Sequence, residues 1–293
     1  MSSPVAIVGL GLMGEVFATR LLAAGFAVTG FDIDAARRSR LAELSGRPAD
    51  SIKEAVAGAQ AILIAVFSTD QVEEVIEQQV LPALGEGSGR IVLCLSTCDP
   101  DQLAALAARV IPRGIRFLEV PVSGTSAQVR SGDGVALVGG DKAIMTEVAP
   151  ILGALFVRCF HIGKIGDGGR AKLAVNLILG LNRLALAEGL VFAERLGLDP
   201  KEFLTVARGS ASYSQVMETK GPKMVAHDFT PEGRVRQTLK DAHLMLDQAA
   251  AIGQALPTLQ VHAEILEACV AAGEADLDNS AIVKEVRRRG GKA

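Results

Sequence analysis

The stretch Val5-Ala-Ile-Val-Gly9-Leu-Gly11-Leu-Met-Gly14 constrains this chain most: an apolar run breaks into glycines and resumes as a helical pattern. Its spacing is G-x-G-x-x-G, with a strand before and a helix after, the context in which that motif has meaning. Gly9 permits a tight turn, Gly11 admits backbone N–H groups to a pyrophosphate, and Gly14 lets helix and strand pack closely. The helix that follows offers free N–H groups and the positive end of its dipole to phosphate. A second strand, Val28-Thr-Gly-Phe31, ends at Asp32, near the ~20-residue offset where a ribose-binding acid belongs. These residues predict a dinucleotide-binding βαβ unit, with Gly9, Gly11, Leu12, Met13, Gly14 and Asp32 at the cofactor. Asp32 would meet a 2′-phosphate with like charge, which points to NAD rather than NADP. Arg37, Arg38 and Arg40 are either a solvated helix face or a counter-charge for such a phosphate.

Further apolar runs at 61–66, 91–95, 117–120, 135–138 and 156–160 alternate with helical patterns. Most are continuous rather than alternating, as in strands buried on both faces of a parallel sheet. After about residue 161 the strand signal stops, glycines punctuate the chain, and a helical pattern runs from 171 to 196. The remainder reads as helix throughout. The expectation is an α/β Rossmann-type N-terminal domain with a mainly parallel sheet over 1–163, an all-α C-terminal domain over 164–293, and a long interdomain helix joining them.

Lys+Arg 30 against Asp+Glu 33 gives a net charge of −3, which leaves no broad basic field for nucleic acid. Arg287-Arg288-Arg289 reads as a solvated tail. A charged leader and an uninterrupted apolar run of ~20 residues are both lacking, so a cytoplasmic protein without a membrane span is expected. The four cysteines show no C-x-x-C spacing and the four histidines no i, i+4 pair of ligands, so reduced thiols and no metal are expected.

Four blocks in order resemble the β-hydroxyacid dehydrogenase family. They are Gly9-Leu-Gly-Leu-Met-Gly14; Pro121-Val-Ser-Gly124 with Val138-Gly-Gly140; Gly166-x-Gly168-x-x-x-Lys172 with Asn176; and Lys240-Asp241 followed by Gly253 and Pro257. The resemblance implies reversible NAD(P)-linked oxidation of a hydroxyl β to a carboxylate, on a homodimer or homotetramer. It implies Lys172 as general acid/base, and Ser123, Gly124 and Asn176 as contacts of a small carboxylate substrate. Ser96 or Thr97 and Lys240 fall near the nicotinamide, and Val66 and Phe67 in a cofactor loop. Thr125 stands where the family usually has a second glycine, Val175 where it has a first Asn, and Gly233 and Gln237 where many members have Phe and Leu.

Such an oxidation needs a base for the hydroxyl proton. A lysine serves when its pKa falls from ~10.4 toward ~7–8. A place in the first turn of a helix would help, because the positive end of the dipole disfavours an ammonium. Asn176, four residues on, projects from the same helix face. The N–H groups of Ser123-Gly124-Thr125, where a loop enters a short helix, would receive the carboxylate. Two other readings remain at this stage: an imine reductase-like enzyme of the same fold, and a non-catalytic dinucleotide-binding protein. Lys220-Gly-Pro-Lys223 reads as a substrate contact or as a helix break with two exposed lysines, and Tyr213 as a site residue or as packing.

Overall fold

The computed structural model describes residues 4–290. It forms two compact units, which divide within one long helix between Lys172 and Leu173.

In the first unit the described strands are β1 (Val5–Val8), β2 (Val28–Phe31), β3 (Arg47–Pro48), β4 (Ala61–Ile64), β5 (Ile91–Cys94), β6 (Arg116–Glu119), β7 (Val122–Ser123), β8 (Val135–Gly140) and β9 (Arg158–Gly163). They make one sheet in the order β3-β2-β1-β4-β5-β6-β8-β7, with β9 on β8. The ladder from β3 through β6 is parallel. β8 runs antiparallel to β6 and β7, and β9 parallel to β8. Successive side chains feed opposite cores: Ile7, Leu63 and Leu93 enter one, while Val8, Ile64 and Cys94 enter the other. Covering on both faces is why these strands read as unbroken apolar runs.

The helices of this unit are α1 (Leu12–Ala23), α2 (Ala35–Glu43), α3 (Ile52–Val56), α4 (Thr69–Glu74), α5 (Leu81–Leu84), α6 (Pro100–Val110), α7 (Ser126–Arg130), α8 (Lys142–Glu147) and α9 (Ala149–Leu155). A π-helical stretch, Val75–Val80, joins α4 to α5. On one face Phe17 of α1 meets Phe156 edge-on, with ring centroids 6.0 Å apart. Strands β3 and β7 escape sequence reading because two residues carry no periodicity. The helical pattern after β8 is split into two helices, since Pro150 has no N–H to continue α8 and instead opens α9.

The second unit follows from α10 (Asp167–Arg195), the long helix, and contains α11 (Pro200–Arg208), α12 (Val216–Thr219), α13 (Gly221–Ala226), α14 (Val235–Ala251), α15 (Pro257–Ala271) and α16 (Ile282–Arg289). Leu184 and Leu190 of α10 share a core with Met245, Leu259, Leu266 and Ile282. By length and composition α10 is long and apolar enough to cross a membrane, with a mean hydropathy of 1.5 over 18 residues, 39% of them buried.

Two surface readings are corrected here. Arg287, Arg288 and Arg289 are not a solvated tail: they belong to α16 and pair with Glu194, Glu274 and Glu285. Lys220 is not exposed. It breaks α12 from α13 with its side chain buried against Asp278, at 2.9 Å.

Candidate active site

In an open α/β sheet the ligand crevice lies beyond the carboxyl ends of the strands, where the strand order reverses. Here that point is β1, flanked by β2 and β4. Gly9 leaves β1 with φ +95°, and a Cβ there would stand 2.4 Å from the Ala65 carbonyl oxygen. A Cβ on Gly14 would stand 1.9 Å from the Gly9 oxygen, so α1 can approach the turn only with glycine at that position. Gly11 caps α1 in an extended conformation, and no side chain caps the helix. The first-turn amides are therefore not taken up by a capping side chain, as a pyrophosphate site requires. Leu12 lies at the surface of that turn and Met13 packs back onto the core. The glycine loop fits a dinucleotide.

Asp32, one residue beyond β2, is buried. Its Oδ2 accepts from the Leu10 N–H at 2.7 Å and its Oδ1 from the Asp34 N–H at 2.9 Å. The arginines beside it are already engaged. Arg37 lies 3.2 Å from Asp32, Arg40 pairs with Glu43, and Arg38 donates to the Asp32 carbonyl and stands over the Phe31 ring. Along the sheet, Val66 and Phe67 follow β4, and Ser96 and Thr97 follow β5. The Ser96 hydroxyl donates to the Val66 carbonyl at 2.7 Å, which ties the two loops together. Phe67 is partly exposed, and its N–H donates to Gln71.

Ser123 ends β7 and Gly124 follows with φ +136°. Thr125 caps α7 in a reciprocal pair: its hydroxyl accepts from the Gln128 N–H, and its own N–H donates to Gln128 Oε1 at 2.9 Å. This corrects the three-donor anion site, because the Thr125 N–H is used within the cap.

Glu119 closes β6 and is 1% exposed. Its Oε2 accepts from the Gly166 N–H and its Oε1 from the Gly169 N–H, each at 2.8 Å. Burial pushes its carboxyl up to about 7, while the N–H groups of Gly166, Gly169 and Gly168 and the nearby Arg170 pull it back down. With that anchor the helix starts at Asp167 rather than at 171. The buried Lys172 therefore sits in the second turn of α10, not the first. The dipole contribution expected for it is correspondingly weaker, since that field falls off within the first turn.

In the second unit the Asn176 amide donates to Asp241 Oδ2 at 2.9 Å, and the Lys240 ammonium lies 3.1 Å from Asp241 Oδ1. Asp241 thus gathers Asn176 of α10 and Lys240 of α14. Sequence reading gave no role to Glu119 or to Asp241. A single acid inside the apolar run Phe117-Leu118-Glu119-Val120 was the available signal for the first, since a lone carboxylate is rarely buried without partners.

Residues 4–163 match the family model described as the NAD binding domain of 6-phosphogluconate dehydrogenase. Residues 166–286 match the one described as NAD-binding of NADP-dependent 3-hydroxyisobutyrate dehydrogenase. The 2-hydroxy-3-oxopropionate reductase of Escherichia coli (strain K12) is 30% identical over 277 residues, 94% of this chain and 94% of that one. A solved structure of Mycobacterium tuberculosis 3-hydroxyisobutyrate dehydrogenase with L-serine has a TM-score of 0.85 at 29% identity, over 98% of this chain and 100% of the other. An imine reductase from Pseudomonas sp. shares the fold at a TM-score of 0.68 and 20% identity, over 97% of this chain and 99% of the other.

Proposed function

This chain belongs to the β-hydroxyacid dehydrogenase family of NAD(P)-dependent oxidoreductases, and from that premise we propose that it moves a hydride between NAD and a small β-hydroxy acid, with Lys172 as general acid/base. The observation that carries the reading is the bond pair from Glu119 to Gly166 and Gly169. It starts the Lys172 helix at the same carboxyl edge of the sheet that holds the glycine loop.

Residues 1–163 bind the cofactor and 164–293 form the helical substrate and oligomerisation domain. The Gly9–Gly14 turn takes the pyrophosphate on the amides of α1. Asp32 takes the adenosine ribose. Val66, Phe67, Ser96, Thr97 and Lys240 serve the nicotinamide half. Bound NAD supplies the hydride acceptor. In oxidation, as the substrate C–H bond would give up its hydride, the hydroxyl proton would pass to the Lys172 amine. Ser123 and Gly124 hold the carboxylate, and the Asn176 amide, oriented by Asp241, holds a substrate oxygen. Support for NAD over NADP comes from Asp32, whose buried carboxylate opposes a 2′-phosphate, and from Arg37 and Arg40, whose charges are already offset by acids.

The test is reduced-cofactor formation with 3-hydroxyisobutyrate, glycerate, threonate and L-serine, each with NAD and with NADP. Turnover of at least one acid is expected, with kcat/KM for NAD above that for NADP by about tenfold or more, the effect of one unpaired like charge. A ratio below one overturns the choice of cofactor. Silence with every acid, together with reduction of a cyclic imine, overturns the substrate class.

We further read the enzyme as a homo-oligomer. Support comes from Ile178 and Phe192 of α10 and from Leu196 just past its end, a stripe of apolar side chains 62%, 66% and 62% exposed. An apolar stripe of this length marks an interface more often than a solvated face. Sedimentation velocity is expected to give a dimer or tetramer, and a monomer at micromolar concentration overturns the reading.

A further inference from the structure

Glycines at the start of a helix such as α10 could serve as a plain joint, and a joint needs no buried acid beneath it. Glu119 lies at that place, outside the groups the proposed chemistry uses. A Cβ on Gly169 would stand 2.6 Å from its Oε1, and a Cβ on Gly168 or Gly139 would stand 3.0 or 2.5 Å from its Oε2. The glycines on two separate segments therefore form a cradle whose shape is that of the Glu119 carboxylate. The N-terminal amides of a helix have no intrahelical partner and are ordinarily satisfied by a neighbouring cap residue or by water. Here the acceptor comes instead from a strand 47 and 50 residues earlier in the chain. A local cap moves with its helix. A cap that belongs to β6 fixes the helix to the sheet.

Gly169 is three residues before Lys172, so the clamped amide and the lysine lie on adjacent turns and nearly on one line along α10. A small rotation or shift of that turn is carried directly to the lysine stem. We infer that Glu119 is a positioning residue for Lys172: from the end of β6 it seats the first turn of α10, and so sets where the amine stands, without touching substrate or cofactor. The inference rests on the reading of Lys172 as general acid/base.

The experiment compares wild type, Glu119→Gln and Lys172→Ala as purified full-length proteins with the best hydroxy acid of the panel. Glutamine keeps the shape and one carbonyl acceptor, but turns an NH2 group against the second amide. The expected result is a kcat lower by about 10²-fold, the scale of an ångström-level misplacement, with KM and NADH affinity changed by less than about threefold. Activity is expressed per NADH-binding site, so that unfolded protein does not count. A role in stability alone would lower the melting temperature and leave kcat per site unchanged, and that result overturns the inference. Should Glu119→Gln not fold, Glu119→Asp is read by the same criterion, since it keeps the charge and withdraws it by one methylene. Near wild-type turnover by Lys172→Ala would instead sink the lysine reading. An inactive Lys172→Ala beside a fully active Glu119 variant sinks only the positioning role.

Discussion

Replacing Lys172 with alanine is expected to lower kcat for hydroxy-acid oxidation by about 10²–10⁴-fold, the usual worth of a positioned acid/base, while NADH still binds. Hydride departure leaves positive charge on the substrate carbon unless the hydroxyl proton leaves with it. Without an amine in place that proton must go to water. The residues proposed for the cofactor, Gly9, Gly11, Gly14 and Asp32, lie in or just beyond β1, α1 and β2, none of which the substitution alters, so NADH affinity should stay within about threefold of wild type. The two readouts together identify the step. A variant that loses NADH binding has lost its fold, whereas one that binds NADH and fails to turn over has lost its base. With Lys172 as the proposed general acid/base, the neutral amine serves oxidation and the ammonium serves reduction, so wild-type kcat/KM should rise with pH in one direction and fall in the other. In Lys172→Ala both limbs should flatten. A small primary amine in the buffer should restore part of the lost rate. Wild-type turnover by Lys172→Ala would show that another group moves the proton.

Much of the fold was legible because its signals are local. The glycine spacing at Gly9, Gly11 and Gly14, the apolar strands beneath it, and the loss of strand pattern after about residue 161 each report within a short window. What escaped depends on partners remote in sequence. The acceptor for Gly166 and Gly169 is Glu119, so no inspection of Gly166-Asp-Gly-Gly169 alone reveals why the helix begins at Asp167 or why Lys172 lands in its second turn. Thr125 shows the reverse case. Its Thr-x-x-Gln128 capping box is local and was open to reading, yet a substrate loop was read there and the cap was not. Lys220 reads as a substrate contact or as one of two exposed lysines at a helix break, and Arg287–Arg289 read as a solvated tail, because a basic residue carries no trace in the sequence of its distant acids. All of them are instead paired. Those acids, Asp278, Glu194, Glu274 and Glu285, become visible only once the helices pack.

The Lys220–Asp278 pair should also give the largest stability effect. Asp278 is 0% exposed and Lys220 2%. The ammonium lies 3.0 and 2.9 Å from the two carboxylate oxygens, with Glu232 at 3.2 Å as a more exposed third partner. The same carboxylate accepts from the N–H groups of Glu232, Gly233 and Ser280, which joins the segment before α14 to the start of the C-terminal helix. Asp278→Ala removes both Asp278 oxygens from the ammonium and from the three N–H groups, and leaves the buried cation with Glu232 alone. It should therefore cost about 3–5 kcal/mol, a large share of a typical domain's stability, read as a lower urea midpoint at neutral pH. Lys220→Met should be destabilising in turn, since it leaves the buried carboxylate to its amides. The double change Lys220→Met with Asp278→Ala should cost clearly less than the sum of the two single ones, because the two charges disappear together. The pH dependence carries a definite sign. Burial alone would raise the Asp278 carboxyl, but Lys220 and the backbone donors outweigh it and hold the group below the ordinary aspartate range. A depressed folded-state value means that the stabilisation is full above the unfolded aspartate's value of about 3.9 and is lost as pH falls through the lower, folded one. The gap in urea midpoint between wild type and Asp278→Ala should accordingly be widest at neutral pH and narrow in acid. Additive single costs, or a gap that widens in acid, would mean that the buried pair does not act as a unit.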